Sequence, residues 1–150
     1  MRLLTKENIV QFNELTVQKH GGSFVPPCNF LNESSLDYML EAVNAELFGV
    51  EMYPVISDKA AFYMFSIVTG HVFQDGNKRT GLGAARIFLR MNGMKMGKNL
   101  SHIEVAEGRF VPEKSGSFKD ILYNFTLEMA SGKITFDEAR QWFAANAQPQ

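Results

Sequence analysis

Ser57-Asp-Lys-Ala-Ala-Phe-Tyr-Met-Phe-Ser-Ile-Val-Thr-Gly70 runs directly into His71-Val-Phe-Gln-Asp-Gly-Asn-Lys-Arg-Thr80 and then Gly81-Leu-Gly-Ala-Ala-Arg-Ile-Phe-Leu-Arg-Met-Asn-Gly93. The first block is apolar on every side, which places a short helix, Lys59 to Thr69, in the middle of a core. Ser57 and Asp58 read as its cap and Gly70 as its stop. The third block predicts a helix from about Asn77 to Met91 that ends at Asn92-Gly93. Gly81 and Gly83 each cost about 1 kcal/mol of helix propensity relative to alanine. With Ala84 and Ala85 they make a small-residue face that lets the central helices approach closely. Two core helices around a polar loop predict a helical fold.

The flanking sequence agrees. Lys6 to Lys19 carries Ile9, Val10, Phe12 and Leu15 at helical spacing and ends at Gly21-Gly22. Residues 23–32, with Pro26-Pro27 and Asn29, read as an irregular loop. Asn32 or Ser34 caps a second helix with Leu36, Met39, Leu40 and Val43 on its apolar face, ending before Gly49. The stretch from Gly49 through Pro54 to Ile56 allows at most a short edge hairpin. Segments 118–130 and 135–146 are amphipathic, the second opening on the capping box Thr135 and Glu138. The expected architecture is all-α, about six helices in a single domain over residues 1–147, with 148–150 a frayed tail. Trp142, Phe143, Phe125 and Phe62 are core candidates, His20 and His102 surface residues, and Met94 and Met96 fillers beside the polar loop.

A chain of 150 residues with net charge −1 and 45% hydrophobic content fits one core. A lone cysteine, Cys28, forms no internal disulfide, and Lys6 and Glu7 interrupt any signal-peptide core, so a reducing cytoplasm is the expected location. The apolar run from Ala60 to Val68 is too short to span a bilayer. The charge total conceals an asymmetry: Gly76 to Ile103 carries six basic residues, Lys78, Arg79, Arg86, Arg90, Lys95 and Lys98, and no acidic one, leaving nine basic and sixteen acidic residues elsewhere.

The polar loop opens that basic segment. At the start of a helix near Asn77, the first peptide N–H groups have no intrahelical acceptor, and Gly76 allows a ligand close to the backbone. Lys78 and Arg79 add positive charge where the macrodipole opposes it, so a bound anion relieves the arrangement. Asp75 is suited to hold Mg²⁺ against phosphate oxygens, and His71 to move a proton near neutral pH. A base, a metal site and a phosphate cradle imply phosphoryl or nucleotidyl transfer. A Walker A loop does not fit, because Asn77 precedes Lys78, Arg79 separates it from Thr80, and a helix rather than a strand leads in.

These residues resemble the Fic/Doc family, whose signature is H-x-F-x-[D/E]-[G/A]-N-[G/K]-R. His71, Phe73, Asp75, Gly76, Asn77, Lys78 and Arg79 fit it without a gap. The resemblance is nearest to the Doc branch and covers roughly residues 3–96. It implies a small helical bundle that transfers part of ATP, with Mg²⁺, to a hydroxyl of a target protein. It also implies His71 as general base, Asp75 as Mg²⁺ ligand, Gly76, Asn77, Lys78 and Arg79 as phosphate cradle, and Phe73 packed inward. Lys78 stands where AMP-transferring members carry glycine, and Leu82 stands where they usually carry a second arginine. Both departures imply Doc-like transfer of the γ-phosphate, and AMP transfer by the same pocket is the enzyme alternative. Residues 47–55 occupy the place of the family's target-docking flap, with Gly49, Val50, Glu51, Met52 and Tyr53 as its candidate residues. The family's inhibitory pattern [S/T]-x-x-x-E-[G/N] has no match, since Ile103 precedes Glu107-Gly108 and Leu3 precedes Glu7-Asn8 at the required spacing. A separate antitoxin is therefore the implied partner, and a translation factor the target by analogy.

Simpler readings stand beside these. Asp75-Gly76 is also an ordinary turn, and Lys78 and Arg79 could be a solvated helix face, as Arg86 and Arg90 are taken to be. The alternative of another class is a non-catalytic regulator that binds a nucleotide or phosphate. Nucleic-acid binding lacks a reading motif and interleaved aromatics.

Overall fold

The computed structural model describes residues 1–150. Local chemistry starts three of the helices. Thr5, Ser117 and Thr135 each accept the backbone N–H three residues on, and Asn8, Asp120 and Glu138 return the bond. These capping boxes open α1 (Lys6–His20), α5 (Phe118–Ala130) and α6 (Phe136–Asn146). The other helices are α2 (Glu33–Ala42), α3 (Ile56–Thr69) and α4 (Asn77–Met91). The expected six helices and mostly α class are both present.

α3 is the hub, packed against α4 and α6. At Gly81 the two central helices meet so closely that a Cβ would lie 2.5 Å from Val68 Cγ2 and 3.1 Å from the Met64 carbonyl. Gly83 serves a different partner: a Cβ there would lie 2.1 Å from the Phe12 ring of α1. The small-residue stripe thus seats two neighbours rather than one.

Several boundaries differ from expectation. α3 begins at Ile56 after an extended Val55, so Ser57 and Asp58 lie within its first turn instead of capping it. Asp58 is buried there and accepts two bonds from Arg140 of α6, at 3.2 and 3.1 Å. The buried stripe of α1 is Ile9, Asn13, Thr16 and Val17, while Leu15 is exposed. That stripe follows the docking of α1 on the polar loop rather than hydrophobicity alone.

Three two-stranded antiparallel sheets complete the fold. β1 (Glu46–Leu47) and β2 (Val50–Glu51) form the edge hairpin, turned by Phe48 and Gly49 at φ 52 and 80. Two successive positive φ values match the twist of such a hairpin. β4 (Ile103–Ala106) and β5 (Arg109–Val111) form a second hairpin that periodicity did not signal. The third sheet overturns the frayed tail. β6 (Ala147–Pro149) pairs with β3 (Met94–Met96), and Gln150 N–H donates to Gly93 O at 3.0 Å. Backbone pairing with a strand far back in sequence holds Gln148-Pro149-Gln150, and no local pattern encodes it. Met94 and Met96 are accordingly strand residues packed on the core.

Phe125, Trp142 and Phe143 are fully buried, and Phe62 is partly buried against Tyr53 and Phe136. His102 is not a free surface residue: its ring stacks on Phe110 at 4.6 Å. No helix is long and apolar enough to cross a membrane.

Arg109 on β5 donates to both oxygens of Glu138 at 2.8 and 2.9 Å, locking the second hairpin to α6. Chiefly because of this pairing, the Glu138 carboxyl falls from its ordinary value of 4.5 to about 2. A pKa depressed in the folded state means that ionised Glu138 stabilises the fold above about pH 4.5, and that this contribution is lost as the pH falls towards about 2. Urea unfolding followed between those limits should therefore show a steeper loss of stability in the native chain than in Glu138→Gln.

Candidate functional site

α3 ends at Gly70, and the chain reverses through His71 in a left-handed conformation, φ 49. A non-glycine residue there is uncommon and marks a constrained position. Val72 and Phe73 then turn inward, both buried, and Phe73 stacks on Phe30 at 5.5 Å. Gly76, φ 78, starts α4. A Cβ on Gly76 would lie 3.1 Å from both Asn13 Nδ2 and Val17 Cγ2, so the left-handed turn is also sterically tight.

The loop is held by groups that the sequence reading did not single out. Asn13, fully buried on α1, donates to the Asp75 carbonyl at 2.9 Å and to Thr80 Oγ1 at 3.1 Å. Asn29, also fully buried, donates to Asn13 Oδ1 at 3.1 Å. Its own carbonyl accepts Gln74 N–H at 2.8 Å, and Val72 O accepts both Leu31 and Asn32 N–H. The segment read as an irregular loop is thus the platform on which the His71–Arg79 loop rests. Sequence carried no clear signal for Asn13, because the buried stripe of α1, Ile9, Asn13, Thr16 and Val17, is half polar and differs from the face its apolar residues define.

Asp75 is prearranged by the same platform. Its Oδ2 accepts Ser23 N–H at 2.9 Å and its Oδ1 accepts Gly76 N–H at 2.8 Å. These two backbone donors, with Lys78 and Arg79 nearby, hold its carboxyl below the usual carboxylate range, so it is ionised at neutral pH. Gly22 permits the approach, since a Cβ there would lie 2.8 Å from Asp75 Oδ2.

Asn77 has a structural task in the loop. Its side chain accepts Phe73 N–H at 3.0 Å and donates to Phe73 O at 2.9 Å. The amide therefore clamps the loop and is committed there, leaving its backbone N–H as what it can offer an anion. The first amides of α4 at Asn77, Lys78 and Arg79 meet no backbone acceptor, as expected for a helix start.

His71, Asp75, Gly76, Asn77, Lys78 and Arg79 all line one cavity of about 630 Å³. Lys78 and Arg79 make no ion pair within the chain. Of the six cations in the acid-free segment, these two alone line the cavity. The opposite wall, absent from the sequence reading, is one face of α5: Leu122, Tyr123, Thr126, Leu127 and Ala130. The hairpin residues Gly49, Val50, Glu51, Met52 and Tyr53 do not line it. Val50 and Met52 are exposed, whereas Tyr53 stacks on Phe62 at 4.5 Å and so faces the protein.

No three His, Cys, Asp or Glu side chains cluster as a protein-only metal cage. A single ionised carboxylate with unused lone pairs suits a cation that takes its other ligands from phosphate and water.

Asn13→Ala should cost about 1–3 kcal/mol for each buried group left unpaired, since Asn29 and Thr80 lose their partner. Because the Asp75 carbonyl is released as well, the His71–Arg79 loop should loosen by more than the global loss of stability accounts for. Chemical denaturation and amide hydrogen exchange of that loop, measured on one preparation, would show the difference.

Residues 3–89 match the Fic/DOC family. The chain is 41% identical over 61 residues to a protein named Toxin Doc from Mycolicibacterium smegmatis, covering 41% of this chain and 47% of that one. The chain thus spans about half the length of that relative. It is 29% identical over 99 residues to the Protein kinase doc of Escherichia phage P1, covering 64% of this chain and 72% of that one. With the motif loop, its helical frame and a match over more than half its length, the chain belongs to the Fic/DOC family.

Proposed function

We propose that this chain is a Doc-like protein kinase that moves the γ-phosphate of ATP to a hydroxyl of a target protein. The observation that carries this reading is the single cavity in which His71 and Asp75 share a wall with the unpaired cations Lys78 and Arg79. A relative named a protein kinase, and Leu82 rather than a second arginine in the cavity, favour the γ-phosphate over AMP as the transferred group.

His71 takes the proton of the target hydroxyl as its oxygen attacks the γ-phosphorus. The bond from that phosphorus to the bridging oxygen breaks, and ADP leaves. Lys78, Arg79 and the free amides at the start of α4 hold the phosphate charge, and little else is asked of the protein in such a transfer. Asp75 would hold Mg²⁺, which when bound neutralises phosphate charge. The two-stranded hairpin, with exposed Leu47, Phe48 and Val50, offers an edge for main-chain pairing with the target. A separate antitoxin is the proposed partner, given a relative named Toxin Doc, and a translation factor is the proposed target class, by analogy.

ATP labelled at either the α or the γ position decides the reaction. Label retained on protein from γ and not from α supports the kinase reading. Label retained from α overturns it in favour of AMP transfer.

A further inference from the structure

The cavity has a second wall to which phosphate binding gives no task. α5 presents Leu122, Tyr123, Thr126 and Leu127 to the space facing Lys78 and Arg79. Positions i, i+1, i+4 and i+5 fall on one side of a helix. Tyr123 is 66% exposed and Leu127 42% exposed, so aromatic and aliphatic surface lies open in the cavity that also holds Lys78 and Arg79. Leu82 of α4 extends the same apolar patch. A ligand that satisfies both walls needs an anionic end and a flat apolar end. The volume of about 630 Å³ suits one small molecule that has both.

What the α5 wall lacks is equally informative. Its polar side chains are the Tyr123 hydroxyl and Thr126, and Thr126 donates its hydroxyl to the Leu122 carbonyl at 2.7 Å. No carboxylate, amide or guanidinium stands on this wall to read the edge of a base. An aromatic face, in contrast, accepts any base, because every base has a π surface. α5 also lies outside residues 3–89, so this wall belongs to the part of the chain beyond the family match.

We infer that Tyr123, backed by Leu127, holds the nucleobase of the triphosphate by stacking, and that the site consequently discriminates weakly among bases. The inference rests on the phosphotransfer reading of the same cavity. Tyr123 is a binding residue here, and the reacting phosphate is left to the opposite wall.

Calorimetric titration of the full chain with ATP, GTP and inorganic tripolyphosphate, each with Mg²⁺, tests it. The native chain should bind ATP about tenfold or more tightly than tripolyphosphate, and GTP within about threefold of ATP. Tyr123→Ala should weaken both nucleotides about tenfold and tripolyphosphate less than about twofold. Its KM for ATP should rise with kcat nearly unchanged, and Tyr123→Phe should restore native values because the ring face is kept. Tyr123→Ala binding ATP as the native chain does, or a preference of about a hundredfold for one base, overturns the inference. If the native chain still transfers γ-label in that case, the kinase reading stands. A native chain that neither binds ATP nor transfers γ-label overturns both.

Discussion

His71→Ala is expected to lower the rate of phosphate transfer to protein by about 10²–10⁴-fold, the usual contribution of a positioned general base. The ring is exposed and lines the cavity, so its removal leaves no buried void. Fold and nucleotide binding should therefore survive, and the loss should appear in kcat rather than in KM for ATP. The backbone at His71 has φ 49, which alanine tolerates no better than histidine does. His71→Asn is the companion variant, because asparagine accepts the left-handed conformation readily and cannot act as a base near neutral pH. Both variants should be equally inactive and equally well folded by circular dichroism. If His71→Ala transfers phosphate as the native chain does, His71 is not the base, and if the native chain transfers none, the cavity belongs to a non-catalytic nucleotide-binding module.

Trp142→Ala should bring the largest loss of stability, about 3–5 kcal/mol, as for other large aromatic truncations in cores. Trp142 is fully buried, stacks on Phe125 of α5 at 4.0 Å, meets Phe143 edge-on at 5.2 Å, and donates its indole N–H to the Ser101 carbonyl at 3.0 Å. Its removal opens a cavity and leaves that carbonyl with Asn146 as its remaining side-chain donor, at 3.2 Å. α5 is seated on this ring, so the wall of the functional cavity should loosen with it. Guanidinium unfolding would read the stability. The KM for ATP, measured where the variant is still folded, should rise as it does in Tyr123→Ala. Trp142→Phe should recover part of both, because the stacking surface is largely kept and the indole bond is not. A fall of less than about 1 kcal/mol in Trp142→Ala would mean that α5 is held by other contacts.

The helices were legible because their signals are local. Capping boxes, glycine stops and apolar spacing lie within a few residues of the element they specify, and Thr135 with Glu138 marks the start of α6 in sequence and structure alike. The polar loop was legible as a loop for the same reason: His71 to Arg79 is contiguous, and one turn followed by a helix start suffices to gather most of it around a cavity. The cap of α3 was misplaced because Asp58 has a partner, Arg140, that lies far along the chain. That the Asn77 amide is tied to Phe73 was not legible, because a motif position does not tell which of a residue's polar groups is already paired.

The sequence by itself determined six helices, the polar loop between the two central ones, and the concentration of positive charge that begins there. Tertiary structure alone decided what supports and encloses that loop. Asn13 and Asn29 hold it from beneath, α5 faces it across the cavity, and the chain end pairs with β3. The physical reason is range. Capping, turn and helix preferences act between neighbours in the chain, but a buried amide finds its partner, and a cavity its second wall, only once distant segments are packed together.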